Sequence, residues 1–133
     1  MQLSIITPEA TLFSAEADMV TIPGTEGEFG VLPGHAPLIS SIRPGVITID
    51  AQGKKRRIAV VDGFAEVTPE RCTVLAETAM DAEGISAVQA QARIDEARRR
   101  LELTETDEAR IAAEKHLALA EALKFAVGEP LFE

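Results

Sequence analysis

The chain has no tryptophan, no tyrosine, one cysteine, two histidines and five phenylalanines in 133 residues. Aromatics at 4% leave little material for a ring-walled small-molecule pocket. The lone Cys72 has no internal partner for a disulfide. It stands in the strand-like run Cys72-Thr73-Val74-Leu75, where a buried apolar thiol is expected rather than a nucleophile. Acidic residues outnumber basic ones, 22 to 13, and a net charge of −9 argues against a nucleic-acid surface. No apolar run approaches the roughly 20 residues of a membrane helix, and the first residues carry no basic-then-apolar signal. The sequence reads as a soluble chain that stays where it is made and meets a membrane only through partners.

Convergent polar chemistry is scarce as well. No histidine, cysteine or carboxylate spacing matches a metal site, and no Gly-x-Ser-x-Gly elbow or Walker loop occurs. The glycine run from Gly24 to Gly30 leads into a short strand and Pro33, not into the helix N-terminus that holds a phosphate. His35, in Gly34-His35-Ala36-Pro37, is expected to bond locally in a turn or to face a partner. His116 is expected on the surface or seam of a helix. We therefore expect a non-catalytic protein without metal or cofactor.

What is present is 46% apolar residues, mostly Val, Ile, Leu and Ala. From Met1 to about Glu83 they form short runs separated by turn residues: Leu3 to Ile6, Ala10 to Phe13, Met19 to Ile22, Phe29 to Leu32 and Leu38-Ile39. Val46 to Ile49, Ile58 to Val61, Phe64 to Val67 and Cys72 to Ala76 continue the series. Runs this short and evenly spaced predict an all-β sandwich or barrel of nine or ten strands. Phe64-Ala65-Glu66-Val67 reads as a strand with one wet face, whereas Val46 to Ile49 reads as covered on both sides. The basic run Lys54-Lys55-Arg56-Arg57 after Gly53 reads as a solvated hairpin tip.

Near Asp81-Ala82-Glu83-Gly84 the period changes. Ser86 with Gln89 three residues on forms a capping box. Ala87, Ala90, Ile94, Ala97 and Leu101 then make a helical stripe. Thr104 to Asp107 break that helix and supply caps for a second, whose stripe is Ala109, Ala113, Leu117, Ala120, Leu123 and Val127. It ends at Gly128 with Pro130 beyond. So short a link makes the helices antiparallel. Alanine-rich stripes bury little area, so the hairpin should lean on the sandwich or a partner. The charged side of the first helix, Arg93 to Glu102, reads as a solvated exterior; the alternative is a grip on acidic groups of a neighbour. The expected division is a sandwich over residues 1–84 and a hairpin over 85–133.

The stretch Thr21 to Gly45 holds five of the nine glycines and four of the seven prolines. Gly24, Gly27 and Gly30 lead into Val31-Leu-Pro-Gly-His-Ala-Pro-Leu38, and Ile42-Arg43-Pro44-Gly45 and Gly63-Phe64-Ala65-Glu66-Val67 follow in order. These motifs resemble the epsilon-subunit family of F-type ATP synthases, and the resemblance covers nearly the whole chain. The resemblance implies a ten-stranded β-sandwich with a C-terminal helical hairpin. It implies a non-catalytic rotor subunit of the central stalk on the cytoplasmic face of a bacterial inner membrane. The implied partners are the gamma subunit and the c-subunit ring, with the alpha/beta catalytic hexamer reached by the hairpin when it inhibits ATP hydrolysis. Glu28, Gly30 and His35 match positions that face the ring and gamma. Some members bind ATP through Ile-Asp-x-x-Arg-Ala on the hairpin; here Ile85-Ser86-Ala87-Val88-Gln89-Ala90 has Ser86 for the Asp and Gln89 for the Arg. The second helix has no arginine after Arg110, only Lys115 and Lys124, so weak or no ATP binding is expected. A ligand-binding β-sandwich with a helical interaction tail and a small hydrolase are the competing readings. They lack, respectively, an aromatic-lined pocket and a nucleophile–base pair.

Overall fold

Eight strands and two helices are laid down in the order of the apolar runs in this computed structural model, which describes residues 1–128. The strands are β1 (Gln2–Ile6), β2 (Thr11–Glu16), β3 (Met19–Gly24), β4 (Gly27–Val31), β5 (Leu38–Ile42), β6 (Gly45–Ala51), β7 (Lys54–Val67) and β8 (Arg71–Asp81). The helices are α1 (Ala87–Glu102) and α2 (Asp107–Gly128). Pro130 and the rest of 129–133 lie outside the described residues.

Two long strands organise the sandwich. β7 pairs antiparallel with β8 along most of its length. On its other side it pairs with β6 through residues 54–60 and with β5 through residues 63–67. β1 lies parallel to β8 with β2 outside it, while β3 bonds β5 and β6 and carries β4. The β6–β7 turn is set by Gln52 and Gly53, both at positive φ (54° and 77°), the twist that a two-residue hairpin needs.

Period-2 burial then sorts the side chains. Leu3, Ile22, Ile49, Ile58, Val60 and Val74 are at most 1% exposed and share one core. Each contributes roughly 1.5–3 kcal/mol of transfer free energy. Ile47 and Ile49 face that core, whereas Val46 belongs to a second cluster with Ala59, Ala122, Leu123 and Ala126. That is why Val46 to Ile49 shows so little alternation: one face meets the sandwich core and the other meets α2.

Three expectations are corrected. Nine or ten strands become eight among the described residues, because Ile58–Val61 and Phe64–Val67 are one strand. Asp62 and Gly63, which separate these two runs in the sequence, adopt positive φ (52° and 151°), yet pairing resumes on either side in the same register. The basic run is not a solvated tip either. Only Lys54 is exposed; Arg56 pairs with Asp81, its Nε donating at 2.9 Å, and lies over the Phe13 ring, and Arg57 is buried. Finally, α2 buries Ala122 and Ala126 beyond its expected stripe, while Ala109 is exposed. A helix covered by both its partner helix and a sheet needs a wider apolar arc than one seam.

The hairpin starts as expected. Ser86 Oγ accepts from the Gln89 backbone N–H at 3.1 Å and Gln89 Oε1 accepts from the Ser86 N–H at 2.9 Å. The Ala109 N–H donates to Thr106 Oγ1 at 3.1 Å, capping α2. Ile94, Ala97 and Ala120 close the seam between the helices, with Leu117 beside them. On the sandwich side, Leu123 is fully buried against the sheet, and Met80, Ile85 and Leu119 fill around it.

Candidate partner surfaces

Where β5, β7, β8 and β1 lie side by side, a few large apolar side chains point away from the core among polar ones. Phe64 stands opposite Leu75 in the β7–β8 ladder, and Leu75 beside Ile6 of β1. Ile39 lies on the neighbouring β5, opposite Glu66. Phe64, Leu75 and Ile39 remain 59%, 54% and 71% exposed. Large apolar side chains gathered on a rigid sheet mark a docking surface. The sequence reading gave the strand Phe64 to Val67 one wet face without assigning Phe64 to it, and missed the patch. Alternation places Phe64 and Leu75 outward on their own strands, but that they meet depends on the pairing of β7 with β8.

The glycine-rich stretch forms β3, β4 and the turn that follows. A Cβ on Gly24 would come within 2.9 Å of both the Gly27 carbonyl oxygen and the Phe29 ring, so this first glycine permits a close backbone approach. Phe29 and Val31 turn inward, leaving Glu28 and Gly30 two residues apart on the exposed face of β4. Glu28 edges a groove of about 400 Å³ between Pro23, Arg43 and Pro44 of the sandwich and Glu121 and Phe125 of α2. His35 lies in the next turn. Its backbone N–H donates to Leu32 O at 3.1 Å, and its Nδ1 lies 2.7 Å from Ala36 O, so that nitrogen carries the proton. Gly34 N–H donates to Pro69 O at 2.8 Å and ties this turn to the β7–β8 connection. The structure thus groups Glu28 with Gly30 and holds His35 at a separate turn.

A second cavity, about 410 Å³, opens between the two helices and β8. Leu119, Ala120 and Leu123 floor it; Gln89, Arg93, Glu96 and His116 supply its polar rim. Ser86 and Gln89 are committed to the capping box. The α2 lysines are also engaged: Lys124 Nζ donates to Gln91 Oε1 at 2.7 Å, and Lys115 Nζ donates to Glu77 at 2.9 Å. The Glu77 hydrogen bond, then its charge, holds the Lys115 ammonium above its ordinary pKa. Cys72, fully buried on β8 between β7 and β1, has its thiol pushed up to about 11 by desolvation. Among the described residues no group of His, Cys, Asp and Glu gathers as metal ligands do, and no helix is long and apolar enough to cross a membrane.

A rigid sandwich with an apolar outer face, carrying a folded-back helical hairpin on a thin alanine-rich seam, defines a two-part assembly subunit. The family described as the ATP synthase Delta/Epsilon chain beta-sandwich domain matches residues 1–82. The ATP synthase epsilon chain of Rhodospirillum rubrum is 46% identical over 123 residues, 92% of each chain. That of Granulibacter bethesdensis is 43% identical over 129 residues, 92% of this chain and 96% of the relative. Among solved structures, a chain of the Euglena gracilis mitochondrial ATP synthase, OSCP/F1/c-ring, superposes with a TM-score of 0.72 at 26% identity. That match covers 94% of this chain and 79% of the other. The chain belongs to the ATP synthase epsilon-chain family and is a non-catalytic subunit of that complex.

Proposed function

We propose that this chain is a rotor subunit of the central stalk of a proton-translocating F-type ATP synthase. Residues 1–84 couple the gamma subunit to the c-subunit ring, and residues 85–133 form a hairpin that restrains ATP hydrolysis by reaching the alpha/beta hexamer. The observation that carries the coupling role is the exposed Phe64, Leu75 and Ile39 surface on a sheet stiffened by the continuous β7 and β8 strands. A torque-transmitting part needs rigidity and complementary contact, with no nucleophile of its own. We assign that apolar face to gamma, and the β4 edge with Glu28 and Gly30, together with the His35 turn, to contacts with the ring and gamma. The chain then lies at the cytoplasmic face of a bacterial inner membrane, peripheral through the complex.

The hairpin supports the second role through its weak seam. Alanine side chains provide much of what it buries, so docked and undocked positions differ by only a few kcal/mol, as a switch requires. The test is ATP hydrolysis by the reconstituted catalytic complex with this chain whole or truncated after Gly84. A several-fold rise on truncation, with gamma binding intact, is expected. An unchanged rate would remove the inhibitory role, and failure of either form to bind gamma would remove the coupling role. We also propose that the hairpin binds ATP weakly or not at all. Ser86 and Gln89 spend their polar atoms on capping, and both α2 lysines are held by other side chains. Isothermal titration of the isolated chain should show no micromolar affinity.

A further inference from the structure

At the bend of β7, two carboxylates face each other across the ladder. The pairs Val61–Thr78 and Gly63–Ala76 flank Asp62 and Glu77, which therefore stand opposite one another on adjacent strands. Like charges directly opposed in a sheet destabilise it. Here a cation from the other part of the molecule answers them. Lys115 Nζ of α2 lies 2.9 Å and 3.2 Å from the two Glu77 carboxylate oxygens and 3.6 Å from Asp62 Oδ2. The site is fixed on the strand side. Asp62 sits at φ 52°, and a Cβ on Gly63 would fall 2.1 Å from Leu75 O, so the backbone at the bend tolerates only glycine there. Lys115 is eight residues, more than two turns, before Leu123, the apolar anchor of the same helix, so α2 is clamped at two points.

We propose that Lys115 and the Asp62–Glu77 pair form an electrostatic latch that holds the hairpin against the sandwich. Leaving the docked position strands two opposed carboxylates without their cation. The undocked population is then set by ionic strength and by any polycation or polyanion offered near the bend. This deepens the reading of the hairpin as a two-position element and rests on it.

The test uses the full chain with Ala59→Cys, a position fully covered by α2 in the docked state and therefore reached by reagent only when the hairpin lifts. Native Cys72, fully buried in the sandwich core, reports global unfolding in the same sample. An exposed Glu105→Cys control corrects for salt effects on the labelling chemistry by uncharged iodoacetamide. Raising NaCl from about 0.05 to about 0.5 M should speed Ala59→Cys labelling roughly two- to fivefold while leaving Cys72 unlabelled. Lys115→Gln should raise the low-salt rate by a similar factor and abolish the salt response. Lys115→Glu should raise it further, and adding Glu77→Lys should restore protection. Labelling indifferent to both salt and Lys115→Gln would overturn the latch. If these variants change labelling but not hydrolysis by the reconstituted complex, the latch stands and the inhibitory role of the hairpin falls.

Discussion

The sandwich and the hairpin are built from the same kinds of residue but bury them differently. In the sandwich, Ile and Val on alternating positions interdigitate at or near zero exposure, and every strand is tied to a neighbour by a ladder. In the hairpin, alanine fills most of the buried positions of both helices, and Leu123 is the one large side chain of α2 that is wholly covered. Area buried per residue therefore falls sharply between the two regions. A part that transmits force and a part that changes position have opposite needs, and core composition separates them.

The comparison can be broken most severely at Gly63. Gly63→Val adds strain at φ 151° to a clash with the Leu75 carbonyl oxygen, and should lower sandwich stability by about 3–5 kcal/mol, read as a fall in the urea midpoint. A sharper contrast comes from two truncations in similar surroundings. Ile47→Ala and Leu123→Ala each empty a fully buried aliphatic site, at about 2–5 kcal/mol. The first should shift global urea unfolding; the second should instead free the hairpin and leave the sandwich transition nearly in place. Limited proteolysis within α2 would report that release. Equal shifts in the global midpoint would show that both regions unfold as one.

Smaller effects probe each side separately. Burial raises the Cys72 pKa from 9.0 to about 11, so the folded chain binds more thiol protons than the unfolded chain across that window. Stability should therefore decline as pH rises from 9 to 11, by roughly 2–3 kcal/mol more than in Cys72→Ala, and the difference should vanish below pH 9. On the hairpin side, Ser86→Ala removes the cap acceptor at the start of α1 and should cost about 1 kcal/mol of helix stability, seen as faster amide exchange in its first turn.

Much of this was legible in the chain itself, and the failures were of one kind. The strand series, the capping box at Ser86 and Gln89 and the break before α2 rest on local chemistry, which a sequence displays. Asp62-Gly63 looked like a turn because their preference for positive φ is local, whereas the strand on both sides is held by β5, β6 and β8. Arg57 looked solvated because charge suggests water, and the fold places it under other elements. The Phe64–Leu75 patch requires knowing which strands are neighbours, as does the meeting of Lys115 with Asp62 and Glu77, 38 or more residues away in the chain.

By itself, the sequence determined a β-rich first part, an alanine-lined helical pair behind it and the motifs of its family, since periodicity, caps and spaced glycines act over a few residues. Tertiary structure decided which face of Val46–Ile49 meets the core and which meets α2. It also decided that one strand crosses the Asp62–Gly63 bend and that a lysine from the hairpin lands between two facing carboxylates. Those outcomes depend on contacts between distant segments, whose energies exist only once the sheet has closed and the helices have docked.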